Sequence, residues 1–127
     1  MKFALDTNRY ADLSRGDPQT VDVAQRADSM FLPFVVLAEL RAGFRVGARR
    51  DENERLLTRF LLSDRVSVLF ADEMTTHFYA ELYSELRRVG RPMPDNDLWI
   101  AALCVQHGIP LYTRDRHFEG VPRLVRL

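Results

Sequence analysis

Asp6, Glu39, Asp97 and Asp115 are four carboxylates in sequence surroundings that do not suit a carboxylate. Asp6 closes the apolar run Phe3-Ala4-Leu5, where a buried charge is costly unless hydrogen bonds or a cation compensate it. Glu39 lies within Val35-Val36-Leu37-Ala38-Glu39-Leu40, Asp97 opens the apolar stretch that begins at Leu98, and Asp115 follows the apolar segment Ile109 to Thr113. Most other acids have ordinary explanations: Asp17, Asp51 and Asp72 precede helical patterns as caps, and Glu81 and Glu85 fall on the polar side of one. Carboxylates gathered in one place repel each other and need protons or a hard divalent cation. An all-oxygen donor set suits Mg²⁺ or Mn²⁺, as one ion or two, rather than zinc.

Four acids spread over more than a hundred positions meet only if the elements between them form an ordered frame. Lys2 to Leu5 reads as a short strand running into Asp6, ended by Thr7 and Asn8. Asp17-Pro18 starts a helix that reaches about Ala27, and Met30 to Pro33 reads as a buried strand. Phe34 to Gly43 fits a helix, and Asp51 with Glu54 resembles a capping box ahead of Leu56, Leu57, Phe60 and Leu61. Arg65 to Phe70 is strand-like. Asp72 then caps a helix whose stripe is Phe78, Tyr79, Leu82, Tyr83 and Leu86. After a break from Gly90 through Pro94, the unbroken apolar run Leu98 to Val105 predicts a buried helix ending at Gly108. Ile109 to Thr113 reads as a strand, and Leu124 to Leu127 as a last one. This alternation predicts an α/β fold with a mainly parallel central sheet flanked by helices, as one domain over residues 1–127. Sites in such sheets lie beyond the carboxyl ends of the strands, where Asp6 and Asp115 fall.

Four segments carry a family resemblance: Leu5-Asp6-Thr7-Asn8, Leu37-Ala38-Glu39-Leu40-Arg41-Ala42-Gly43, Asn96-Asp97-Leu98-Trp99-Ile100-Ala101-Ala102 and Leu111-Tyr112-Thr113-Arg114-Asp115. In this order they resemble the signatures of PIN-domain ribonucleases, and more narrowly those of the VapC toxins of toxin–antitoxin pairs. The likeness runs from about residue 2 to 125. It implies a PIN-like three-layer fold and metal-dependent RNA cleavage leaving a 5′-phosphate and a 3′-hydroxyl. It also implies a homodimer and a cognate VapB-like antitoxin whose peptide lies over the acidic site. Two positions depart from the pattern: His117 stands before Phe118 where many relatives carry an acid, and Val36 stands where many carry Ser or Thr. The expectation is therefore four acidic ligands without a fifth, and no hydroxyl beside Glu39 from position 36.

Asp6 and Asp97 are expected as central ligands, with Glu39 and Asp115 completing the shell directly or through water. Thr7, Asn8 and Thr113 are expected in support. Arg114 and Arg116 flank Asp115 and are candidates for RNA phosphate contact, as are Arg87, Arg88 and Arg91. Arg41, Arg45 and Arg49 are spaced to share a helix face that meets an acidic antitoxin segment. His77, His107 and His117 are scattered and do not suit zinc, Cys104 reads as core, and Trp99 as packing.

Composition closes off other classes. In 127 residues, 46% are apolar, which suits a folded domain, and no apolar run approaches the roughly 20 residues of a membrane span. No leader pattern opens the chain, and one cysteine cannot form an internal disulfide, so a cytoplasmic, reducing setting is expected. A receiver-like signalling domain would need paired acids after its first strand and a late lysine, whereas the only lysine is Lys2. An Asp-x-Asp phosphatase is met by Asn8 at its second position. A catalytically idle PIN-fold binding module is the remaining alternative. The formal net charge is zero, from 18 bases and 18 acids, but with four acids assigned to cations 14 acids face 18 bases.

Overall fold

The computed structural model describes residues 1–127. In chain order the elements are β1 (Lys2–Leu5), α1 (Thr7–Ser14), α2 (Pro18–Arg26), β2 (Ser29–Pro33), α3 (Phe34–Val46) and α4 (Arg50–Leu61), then β3 (Val66–Leu69), α5 (Glu73–Arg88), α6 (Asp95–His107) and β4 (Leu111–Tyr112). A 3₁₀ turn over Arg116–Phe118 follows. The four strands form one sheet in the order β3-β2-β1-β4, and every pairing is parallel. The chain thus moves outward from β1 through β2 to β3, then returns to the other side of β1. That reversal lies between β1 and β4, and a crevice opens beyond their carboxyl ends.

Burial explains why the strands read as continuous apolar runs. Phe3, Ala4, Leu5, Leu32 and Leu111 are fully buried, as expected of a parallel sheet covered on both faces. α6 is apolar around its whole circumference, and Leu98 and Ile100 through Cys104 are all buried. It packs against α5 and α3, with Trp99 lying on Tyr79 at 4.3 Å between ring centroids. Gly108 ends α6 with φ 62°, a left-handed conformation that glycine adopts without steric cost. Burial pushes the Cys104 thiol up to about 12, so it stays protonated as part of the core.

Several sequence expectations are corrected. Thr7 and Asn8 do not end β1 in a loop; they begin α1, which the sequence reading left out. The usable signal was Asp6 as an N-cap, with Tyr10 and Leu13 at helical spacing behind it. The Asp51–Glu54 capping box does not form. α4 starts one residue before Asp51, its N-cap is Arg49, and Glu54 reaches across to Arg41 of α3 at 3.1 Å. Arg41 is therefore paired within the chain, rather than free on a shared arginine face. Residues near Leu124 to Leu127 form only an isolated bridge, Leu111 to Arg126, because β4 itself is two residues long. Asp72 does cap α5, in a reciprocal box with Thr75.

Candidate active site

Parallel register brings the first and last acids together. Leu5 pairs with Tyr112, so the next residues along the two strands, Asp6 and Thr113, stand side by side at the carboxyl edge. The Thr113 hydroxyl donates a hydrogen bond to Asp6 Oδ2. Asp6 Oδ1 accepts the Arg9 backbone N–H at 2.8 Å, so the same carboxylate caps α1. Thr113 Oγ1 also accepts the Asp115 N–H at 3.0 Å, which ties the fourth acid to the first through one hydroxyl.

The helices deliver the other two acids because connecting helices run against the parallel strands, and their N-termini therefore open at the strands' carboxyl edge. α3 starts directly after β2 and carries Glu39; α6 leads into β4 and carries Asp97 as its third residue. The positive end of the α6 dipole favours an acid there. Asp6, Glu39, Asp97 and Asp115 line one cleft of about 190 Å³, with Thr7 and Asn8 on its wall and Ile100 and Phe118 as apolar lining. Glu39 is held by Thr7 Oγ1, which donates at 2.7 Å, and by Asn96 Nδ2 at 3.4 Å. Thr7 thus provides the hydroxyl that Val36, fully buried, cannot.

Charge in this cleft is under-compensated. Asp6 is 4% exposed, and burial raises its pKa above the ordinary carboxylate value despite the hydrogen bonds from Thr113 and Arg9; Asp115 adds repulsion. Burial also raises Asp97, and Asp115 and Glu39 repel it further, against a contact from His117. No lysine or arginine forms an ion pair with any of the four acids. A donor set of oxygens that penalise one another's ionisation fits a hard divalent cation.

Three further residues belong to this neighbourhood, and the sequence reading either missed them or placed them elsewhere. His117 is not scattered from the acids: its Nδ1 lies 3.1 Å from Asp97 Oδ2 and 3.4 Å from Asp115 Oδ1. Its position two residues after Asp115 was the available signal. Asp12, on α1, is buried and forms ion pairs with Arg9, Arg15 and Arg114. Arg114 spends Nε and Nη2 on that carboxylate, at 3.0 and 3.2 Å. Arg9 completes the link, with its guanidinium 4.2 Å above the Tyr112 ring. Arg116 is exposed and lines a separate cleft of about 310 Å³ with Arg91 and His117.

Fold and cleft together define a parallel α/β domain with a cluster of four acids at the carboxyl edge of its sheet. The PIN domain model matches residues 3–124, and the chain belongs to the PIN-domain family. Within it the similarity is to VapC ribonucleases: ribonuclease VapC4 of Mycobacterium tuberculosis is 36% identical over 88 residues, covering 69% of this chain and 68% of that one. A solved VapBC-1 structure from nontypeable Haemophilus influenzae superposes with a TM-score of 0.84 at 26% identity, covering all of this chain and 97% of the other. The fold is shared equally with VapBC2 of Rickettsia felis, solved bound to a promoter DNA fragment, at TM-score 0.89 and 24% identity over all of this chain and 98% of that one. Family membership sets aside the receiver-like and phosphatase readings. No helix is long and apolar enough to cross a membrane.

Proposed function

We propose that this protein, as a single PIN domain over residues 1–127, is a metal-dependent endoribonuclease toxin of the VapC type, held in check by a cognate VapB-like antitoxin. The observation that carries the reading is the convergence of Asp6, Glu39, Asp97 and Asp115 on one cleft, with no lysine or arginine in an ion pair to any of them. These four residues are the catalytic set and would hold Mg²⁺ or Mn²⁺, one ion or two. When bound, the cation offsets charge developing on the phosphoryl group and activates water for attack.

The chain's own residues prepare that site. Thr113 orients Asp6 and, through its accepted N–H, Asp115; Thr7 and Asn96 orient Glu39; Asn8 lines the wall. Such hydroxyl and amide partners fix carboxylate orientation before substrate arrives, which lowers the cost of assembling the site. Ile100 and Phe118 are the apolar part of the cleft's lining, and beside them Asp6 is buried, where a charge interacts more strongly than in water. Of the two arginines beside Asp115, Arg116 contacts RNA phosphate, while Arg114 is occupied by Asp12. The relatives solved as VapBC complexes support a cognate antitoxin partner; an antitoxin peptide over the acidic cleft and a homodimer are what the family resemblance implies.

The deciding experiment sequences RNA ends after brief induction of the wild type and of Asp6→Ala. One discrete new end, present only with the wild type, is the expected result and names the substrate. Identical end patterns would remove the nuclease reading. They would also leave the idle binding module in its place.

A further inference from the structure

The segment after Asp115 is folded back on the site by Asp115 itself. Its Oδ1 accepts the His117 backbone N–H at 2.9 Å and caps the 3₁₀ turn, and Phe118 anchors that turn with 1% exposure. The turn carries the His117 ring over the acids rather than away from them. One donor atom from each of Asp97, Asp115 and His117 lies within 4.8 Å of the other two. An octahedral ion with bonds of about 2.1 Å places neighbouring donor atoms about 3.0 Å apart. The Nδ1 separations of 3.1 and 3.4 Å from the two carboxylates match neighbouring corners of such a shell.

We propose that His117 contributes an imidazole nitrogen to the cation held by Asp97 and Asp115, so that the site is mixed nitrogen–oxygen and prefers Mn²⁺ over Mg²⁺. This inference rests on the reading of the four acids as cation ligands. Its chemical basis is that Mg²⁺ takes oxygen and retains water, whereas imidazole nitrogen favours first-row transition ions. Ligation needs the Nδ1 lone pair, with the ring proton on Nε2. The side chain is 61% exposed, so water can serve the proton that the protein does not. The same exposure means that replacing His117 removes no core packing. His77 on α5 and His107 in the last turn of α6 are in no such cluster and serve as internal controls.

The test titrates the full chain with Mn²⁺ alone, followed by pulsed EPR on protein made with nitrogen-labelled histidine. Coupling from a directly bound histidine nitrogen is expected in the wild type and in His77→Gln, and absent in His117→Ala. Calorimetry should show His117→Ala losing about tenfold or more in Mn²⁺ affinity, at least the cost of losing a secondary metal-site partner. Mg²⁺ affinity should change much less, and His117→Asp should favour Mg²⁺ relative to the wild type. Wild type that binds Mn²⁺ with no histidine coupling would overturn the inference, leave the carboxylate site standing, and reduce His117 to a hydrogen-bond partner of Asp97. Protein that binds no divalent ion would overturn both.

Discussion

Asp6 caps the start of α1 and Asp12 lies within the same helix, both buried, and their surroundings are opposite. Asp12 is met by three arginines, Arg9 at 3.4 Å, Arg15 at 2.7 Å and Arg114 at 3.0 Å, and the Arg114 hydrogen bond chiefly holds its carboxyl below the usual range. Asp6 is met by a hydroxyl, a backbone N–H and three other acids in the same cleft, and burial holds its carboxyl above that range. One acid is compensated by the chain; the other is left for something the chain does not contain. The protein has 17 arginines, yet none forms an ion pair with any of the four acids of the cleft. The difference separates a structural ion cluster from a site prepared for a cation.

The largest effect expected from breaking this contrast is on cleavage. Asp97→Asn removes one carboxylate charge without changing side-chain size, and should lower RNA cleavage in Mg²⁺ or Mn²⁺ by about a thousandfold. That corresponds to the several kcal/mol of charge stabilisation a catalytic metal provides. Circular dichroism should show the fold intact. Cleavage at the wild-type rate would exclude Asp97 from the catalytic set.

Stability should respond in opposite directions at the two acids. Asp12→Asn leaves three arginines facing a neutral amide and should destabilise the protein by about 1–2 kcal/mol, a value held down because Arg15 and Arg114 are mostly in solvent. The Asp12 contribution is present above the unfolded carboxylate value and is lost as pH falls through its lower folded value. Urea midpoints for wild type and Asp12→Asn should therefore converge in acid. If the gap persists at the lowest pH that preserves folding, charge pairing is not its origin.

Asp6→Asn should do the reverse. In metal-free protein at neutral pH it relieves a buried, repelled charge while an amide oxygen can still cap α1, and a gain of about 0.5–2 kcal/mol is expected. Because the folded pKa of Asp6 is raised, the penalty it imposes is full above that value and fades as pH falls toward the unfolded value. The gain should fade over the same range. Adding Mg²⁺ should raise the Tm of the wild type and not that of Asp6→Asn, because only a folded state that binds the ion is stabilised by it. A melting temperature unmoved by metal in both proteins would break the contrast.

The smallest effect should come from the arginines. With Asp97→Asn as an uncleavable background, adding Arg116→Ala should reduce the salt dependence of RNA binding by about one unit of slope in anisotropy titrations. Arg114→Ala should leave that slope unchanged and instead lower stability, as expected of a residue committed to Asp12. Equal slopes for both substitutions would erase the distinction between paired and free arginines.

Much of the frame was legible locally. β1, α2, β2, α5 and α6 announce themselves through short apolar runs, the Asp17-Pro18 and Asp72 caps, the Leu82–Leu86 stripe and the glycine at position 108. α1 was hidden because Asp6 carries two signals at once, as the end of a strand and as the cap of a helix. The capping box at Asp51 does not form because α4 already starts at Arg50, which puts Asp51 inside its first turn, and Glu54 pairs instead with Arg41 on a neighbouring helix that no local pattern reveals.

By itself the sequence determined which four acids were unaccounted for, the α/β order of elements, and that the acids together would suit a hard divalent cation. Residue type and periodicity are short-range properties, and each of these conclusions needs nothing longer. Tertiary structure alone decided the company each side chain keeps: Thr113 on Asp6 across 107 residues, Arg114 on Asp12 across 102, Thr7 on Glu39, and His117 between Asp97 and Asp115. Those pairings depend on the parallel register of Leu5 with Tyr112 and on where α3 and α6 begin, and both are set by packing around the buried sheet.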